Sequence, residues 1–296
     1  MRIDLLQDWQ NYFAANEINL NESLDVNQQY LQRTVYIDQP LHVHFSQVFY
    51  NNLPHIDLTE NEQNIVDAES EVQKNAIYEG NHILISHAEM NEDSLSLDAL
   101  QVPFSVLHSL KNRCFPIHSP IYEQRVFRTG VLAPFITQDG FVFLMQRNDP
   151  FQLFSVAAGY IEPYSSQLLL NPQNETAEDL IVYNARKEAL EEFLESNPGS
   201  QQSRILFPKP KVRSISFRQM KNGLAVMEFI VPIALDCTRS ELETILSDNH
   251  SQDINEHTGY FISLPINKVA IDAFIQQNLP GRFLYEPILQ TALKFK

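Results

Sequence analysis

The chain has 296 residues, 44% of them hydrophobic, which is enough to bury a sizeable core in one large domain or two ordinary ones. Its 21 Lys+Arg against 37 Asp+Glu leave a formal net charge of −16, which argues against a nucleic-acid backbone or an anionic membrane surface as the main partner. With only Cys114 and Cys237, and no Cys-x-x-Cys pair, neither a disulfide scaffold nor a thiolate zinc site is indicated, and a reducing, cytoplasmic setting is expected.

The opening "MRIDLLQDWQNYF" has charged and polar residues spread throughout it and no later run approaches ~18 apolar residues, so neither a signal peptide nor a membrane span is expected. The first part is rich in Asn, Gln and acids. Helix-like "LLQDWQNYF" and "NEQNIVDAESEVQKNAIY" alternate there with strand-like "VHFSQVF" and "HILIS". "KNRCFPIHSP", with Pro116 and Pro120, ends the helix-like "FSVLHSL" and reads as a linker. From Val126 strands take over: "VFRTGVLAPFI", a hairpin turn at Asp139-Gly140, "FVFLMQR" and the apolar "FQLFSVAAGYI". Later come "VRSISFRQM", "LAVMEFIVPIAL", a helix-like "RSELETILSD", the strand "GYFISL" and a closing helix-like "YEPILQTALKF". The reading is α+β: a small α+β domain over residues 1–120, then a second domain over 121–296 that mixes a sheet with a few helices.

One helix in the second part carries unusual charge. Thr176 as N-cap and Asp179 three residues on form an acidic capping box, so a helix is expected from Ala177 to about Leu194, ended by Asn197-Pro198-Gly199. Val182, Ala185, Ala189 and Phe193 recur at helical spacing and make its buried stripe. Asn184, Glu188, Glu191, Glu192 and Glu195 fall on another side. Glu188, Glu191 and Glu192 stand at i, i+3 and i+4 on what should be an exposed face, where like charges cost a few tenths of a kcal/mol per pair. Either open solvent or a bound cation must relieve them.

Upstream, "AGYIEP" supplies Ala158, Gly159, Glu162 and Pro163, and "KEALEEF" supplies Lys187, Glu188, Ala189, Glu191 and Glu192. Together these resemble the box of the Nudix hydrolase family: Gly, five residues, Glu, seven residues, then Arg-Glu-apolar-x-Glu-Glu-x-Gly-apolar. The resemblance covers roughly the second half of the chain. Three departures accompany it. Residues 160 to 178 separate Gly159 from Asp179, the residue at the place of the first acid; Lys187 replaces an Arg; and Leu194 replaces the closing Gly. Lys keeps the charge but cannot make a forked pair with a carboxylate, so the clasp between loop and helix should be weaker.

The resemblance implies a Nudix-like α/β/α sandwich with a mixed sheet. It also implies Mg²⁺-dependent (or Mn²⁺-dependent) hydrolysis of a pyrophosphate bond in a nucleoside diphosphate linked to another group. Glu188, Glu191 and Glu192 would then be metal ligands, one of them sharing in the activation of water, with the Gly159 carbonyl a further ligand and Lys187 part of the box. Arg147 stands where members often have a strand-end Arg that pairs with box carboxylates or touches phosphate. Glu162 is a candidate for metal or loop contacts, and Glu256 lies where some members carry a general base. Asp179 reads as a helix cap, Glu195 as solvated. Of the histidines, which include His257, strand alternation would put His42 and His44 on one face, but no third ligand is visible and no zinc site is expected. Hard Mg²⁺ prefers such oxygen donors, and it would bridge a polyphosphate to an acidic protein. The alternative is a catalytically degenerate Nudix-like domain that binds a nucleotide or a protein partner. The insertion, residues 164 to 176, holds the apolar "QLLL", which seeks cover from the N-terminal domain, from a second subunit in a homodimer, or from the rim of the site. In each case it would restrict substrate choice; the alternative is a passive excursion.

Overall fold

The computed structural model describes residues 3–22, 30–37, 42–45, 53, 55–72, 80–92, 94–112, 114–116, 119, 121, 127–148, 153–163, 177–194, 210–220, 225–247, 257–278 and 282–295. The insertion 164–176, the expected helix stop at 197–199 and Glu256 lie outside them. The class is mixed α and β, built on curled mixed sheets.

Fourteen strands are described: β1 (Ile3–Asp4), β2 (Tyr30–Tyr36), β3 (His42–Phe45), β4 (Asn81–Met90), β5 (Ser94–Pro103), β6 (Phe127–Ala133), β7 (Phe135–Ile136), β8 (Phe141–Arg147), β9 (Phe154–Ser155), β10 (Ala157–Tyr160), β11 (Ser214–Met220), β12 (Val226–Ile230), β13 (Ile233–Ala234) and β14 (His257–Pro265). The helices are α1 (Leu5–Glu22), α2 (Glu60–Val72), α3 (Phe104–Asn112), α4 (Ala177–Ala189), α5 (Arg239–Ser247), α6 (Lys268–Gln277) and α7 (Arg282–Phe295). α4 runs on into a π-helical turn, Leu190–Leu194. β2, β5 and α6 were not among the elements expected, although β5 alternates buried Leu95, Leu97 and Ala99 with less buried neighbours along one face.

The large sheet has the order β2-β11-β12-β6-β4-β5-β3, with β1 added to β4 and β10 to β6. Strands from before and after residue 120 share it: β2 pairs with β11 and β4 with β6. The division expected at 120 is therefore not a division of the sheet. The smaller sheet runs β13-β7-β8-β14, with β9 on β8. The expected linker is tied to α2 at Ser119, and the chain just after it at Ile121, because the carboxylate of Glu62 accepts from Ser119 Oγ and from Ile121 N at 2.9 Å. The same carboxylate accepts from Thr59 N at 2.8 Å and Thr59 Oγ1 at 2.9 Å, and Thr59 Oγ1 accepts in turn from Glu62 N, a capping box that starts α2.

Alternation along β6 assigns the helices to faces. Val131 belongs to the core that holds Leu180, Ile181, Ala185 and Ala189 of α4, whereas its neighbour Leu132 belongs to the core that holds Tyr285, Ile288, Leu289 and Ala292 of α7. α4 and α7 thus cover opposite faces. The expected α4 stripe is buried at Val182, Ala185 and Ala189 because it meets the first of these faces.

Candidate functional site

β10 is the strand that places the site. One of its edges pairs with β6, with Gly159 opposite Val131 and Tyr160 opposite Gly130. β4 takes over the same edge of β6 at Arg128, and where the two strands meet Ile83 N donates to Ile161 O at 2.9 Å. The other edge of β10 faces α4, and three side chains four residues apart, Asn184, Glu188 and Glu192, meet it in reverse order. Asn184 accepts from Glu162 N and donates to Glu162 O, both at 3.0 Å, and donates to Leu180 O at 2.9 Å. Glu188 lies over Gly159. Glu192 accepts from Ala158 N at 3.0 Å. A single stripe of α4 thus tracks the strand from residue 162 back to 158.

Gly159 is glycine for a steric reason. A Cβ there would stand 2.1 Å from Glu188 Cδ, so no side chain fits between strand and carboxylate. The Gly159 carbonyl is turned the other way, toward β6: its oxygen is 3.1 Å from where a Cβ of Gly130 would be. The glycine therefore meets the helix through its Cα and not through the carbonyl expected as a ligand.

Lys187 supplies the positive charge. Its Nζ lies 3.2 Å from Glu162 Oε2, 3.4 Å from Glu191 Oε2 and 3.8 Å from Glu188 Oε1. Burial alone would lower this ammonium, but Glu162, Glu188 and Glu191 outweigh it and raise its pKa. The expected clasp between loop and helix is thus formed by Lys187 with Glu162 and by the Asn184 bonds. Burial lifts Glu188 first, and the like charges of Glu192, Glu191 and Glu162 add to it against the opposing pull of Lys187, so its carboxyl is pushed up to about 8.

Glu192 departs from the exposed position expected of it. Its side chain is 4% exposed, and its second oxygen lies 3.0 Å from His257 Nε2, whose own side chain is 8% exposed. The π-helical turn carries Glu191 and Glu192, and its wider winding sits where the helix meets both β10 and β14. His257 begins β14 opposite Arg147 at the end of β8. Arg147 is therefore a strand neighbour of the Glu192 contact, and its backbone N–H is bonded to Leu153 O at 2.8 Å.

A further contact comes from the first part of the chain. His82 of β4 is buried, edge-on to Tyr160 with ring centroids 5.5 Å apart. Burial pushes its imidazole down to about 4, Glu162 opposing and Lys187 reinforcing the shift, so the ring is neutral beside the loop. Sequence reasoning missed Asn184 and His82 as parts of the site. The four-residue spacing of Asn184, Glu188 and Glu192 was the available signal for Asn184; nothing local marked His82.

Among the described residues no three His, Cys, Asp or Glu side chains are arranged to hold a metal ion. The donors present are carboxylate oxygens, which fit a hard divalent cation by chemical type. Glu188 suits one best, being partly buried and pressed by like charges that a cation would relieve. Asp179 lies in the first turn of α4, and its side chain is outside the described residues. A comparison with protein-family models finds no match, and a comparison with curated proteins finds none either.

Proposed function

We propose that the chain hydrolyses a pyrophosphate bond in a nucleoside diphosphate linked to another group, with Mg²⁺ or Mn²⁺, on a Nudix-like α/β/α sandwich in which α4 and α7 are the outer layers. The observation that carries this reading is the glycine whose missing side chain makes room for the Glu188 carboxylate. Packing alone gives no reason to bring a partly buried carboxylate against a strand, whereas a cation-binding carboxylate needs a fixed place.

In this reading Glu188 and Glu191 hold the cation with substrate phosphates. Glu192 is held by Ala158 N and His257 and fixes the end of the helix. Lys187 offsets the carboxylates before the cation enters, and Asn184 fixes the loop at Glu162. The cation supplies charge neutralisation on the phosphate oxygens and a more acidic water. Arg147, at the end of β8 opposite His257, and Glu256, which precedes His257 in the sequence, are proposed to face the substrate.

One observation favours the second reading, a domain that binds a nucleotide or a protein partner without turnover. Lys187 already lies within 4 Å of Glu162, Glu188 and Glu191, and a cation must compete with it. A panel of ADP-ribose, dinucleotides, dinucleoside polyphosphates and nucleoside triphosphates, assayed with Mg²⁺ for phosphate and nucleotide products, separates the two. Turnover of any member by the wild type and not by Glu188→Gln supports hydrolysis. Equal product from both proteins overturns the role given to Glu188, and none from either leaves the binding domain.

A further inference from the structure

The face of the large sheet turned away from α4 carries a break in its apolar surface. Toward one end Leu132 and Ile230 pack with α7, and toward the other Leu84 packs with Val102 and Leu107. Between these cores the strand register sets out two rows: Arg128, Val226 and Arg218 in one, Gly130, Glu228 and Ser216 in the next. Apolar cores on both sides and charged residues between them are not a pattern that packing favours.

The rows are deeply placed. Glu228 is 8% exposed and Ser216 0%. Arg218 donates to Glu228 in an ion pair whose side chains are 16% and 10% exposed. Arg128 is partly buried and, among the described residues, makes no ion pair; its Nε is sealed from solvent with no acceptor. Buried donors of this kind are normally matched by protein, water or an ion. Gly130 adds no side chain to the row beside them; a Cβ there would meet Gly159 O at 3.1 Å and Glu228 Cγ at an ordinary contact distance of 3.7 Å.

We propose that this strip binds a small anion, gripped through phosphate or carboxylate oxygens by Arg128 together with Arg218. Glu228 holds the Arg218 guanidinium in place, and Gly130 adds no side chain to the strip. Among the described residues of these rows two guanidinium groups stand with one carboxylate, in a chain of net charge −16, and the planar fork of each matches two oxygens of one anionic group. The strip goes beyond the hydrolytic reading and does not depend on it: β10 presents Gly159 to α4 and Tyr160 to the opposite face.

Thermal unfolding of protein stripped of divalent cations and then dialysed free of chelator tests the strip without any metal. Millimolar sodium phosphate or sodium citrate should raise the melting temperature above that in NaCl of equal ionic strength, following RT ln(1 + [L]/Kd). A rise with phosphate alone identifies a phosphate ligand, and a rise with citrate alone a carboxylate. The rise should persist in Glu188→Gln and vanish in Arg128→Met, which removes no protein partner from the fold. It should vanish also in the double variant Arg218→Met, Glu228→Met, which deletes the ion pair without leaving either charge alone. No rise with either anion overturns the proposal, as does a full rise in Arg128→Met or in the double variant. A rise lost in Glu188→Gln places the anion at α4 and overturns it too.

Discussion

Gly159 and Glu188 occupy the same space: the carboxylate stands where a side chain on residue 159 would have to be, 2.1 Å from Cδ to the missing Cβ. Gly159 is not among the glycines at positive φ, so its identity is set by this contact and not by backbone conformation. Gly159→Ala should therefore displace the end of a flexible side chain and cost about 1 kcal/mol or less in stability, while moving the carboxylate out of place. Under the hydrolytic reading, kcat should fall at least about tenfold, equivalent to about 1.4 kcal/mol of barrier. Wild-type turnover in a folded Gly159→Ala protein would show that the position of Glu188 does not matter.

Glu188 also predicts a pH response of the metal-free protein. Its folded-state pKa, about 8, lies above the ordinary 4.5, so the native state holds the proton longer than the unfolded chain does. Stability from this group is fully present below about 4.5 and is lost as pH rises through about 8, by up to a few kcal/mol. Urea denaturation in EDTA at a series of pH values should show a steeper decline for wild type than for Glu188→Gln between these limits. Parallel curves would mean that Glu188 is charged throughout.

Asn184 closes three bonds with no exposure, and two of its partners are the N–H and C=O of Glu162. Asn184→Ala leaves both backbone groups without this partner and should destabilise the protein by about 2–4 kcal/mol. Asn184→Asp keeps an acceptor for Glu162 N but loses both donors and buries a charge, so it should not rescue. Chemical denaturation checks both; a loss below about 0.5 kcal/mol for Asn184→Ala would mean that the loop is held elsewhere.

The limits of the sequence are visible in these residues. The helix from 177, its buried stripe and the acids at 188, 191 and 192 followed from period and spacing, because an α-helix repeats its neighbours locally. The sequence did not reveal that Glu192 is buried against His257, 65 residues away, or that β4 lies beside the glycine strand. Such pairings depend on strand order, and strand order is set by packing between distant segments. The expectation of a separate domain before residue 120 met the same limit: the Asn- and Gln-rich composition of the first part is a local property, whereas the pairing of β2 with β11 is not.

Glu62 supplies the acid arm of the stability curve. Burial pushes its carboxyl up, but the bonds from Ser119, Thr59 and Ile121 outweigh burial and hold its pKa below 4.5. A depressed folded-state pKa contributes stability that is present above about 4.5 and is lost as pH falls through the native value. Below that value the protonated carboxyl no longer accepts as an anion from Ser119 and Ile121, and the hold of α2 on the segment after α3 weakens. Glu62→Gln should lower stability at neutral pH by about 1–3 kcal/mol, since an amide presents one acceptor oxygen where the carboxylate presents two. It should also flatten the decline below pH 4.5. The two proteins should therefore converge in acid. Melting temperatures of both across that range decide the matter: a constant gap down to full protonation would mean that Glu62 contributes by packing and not by charge.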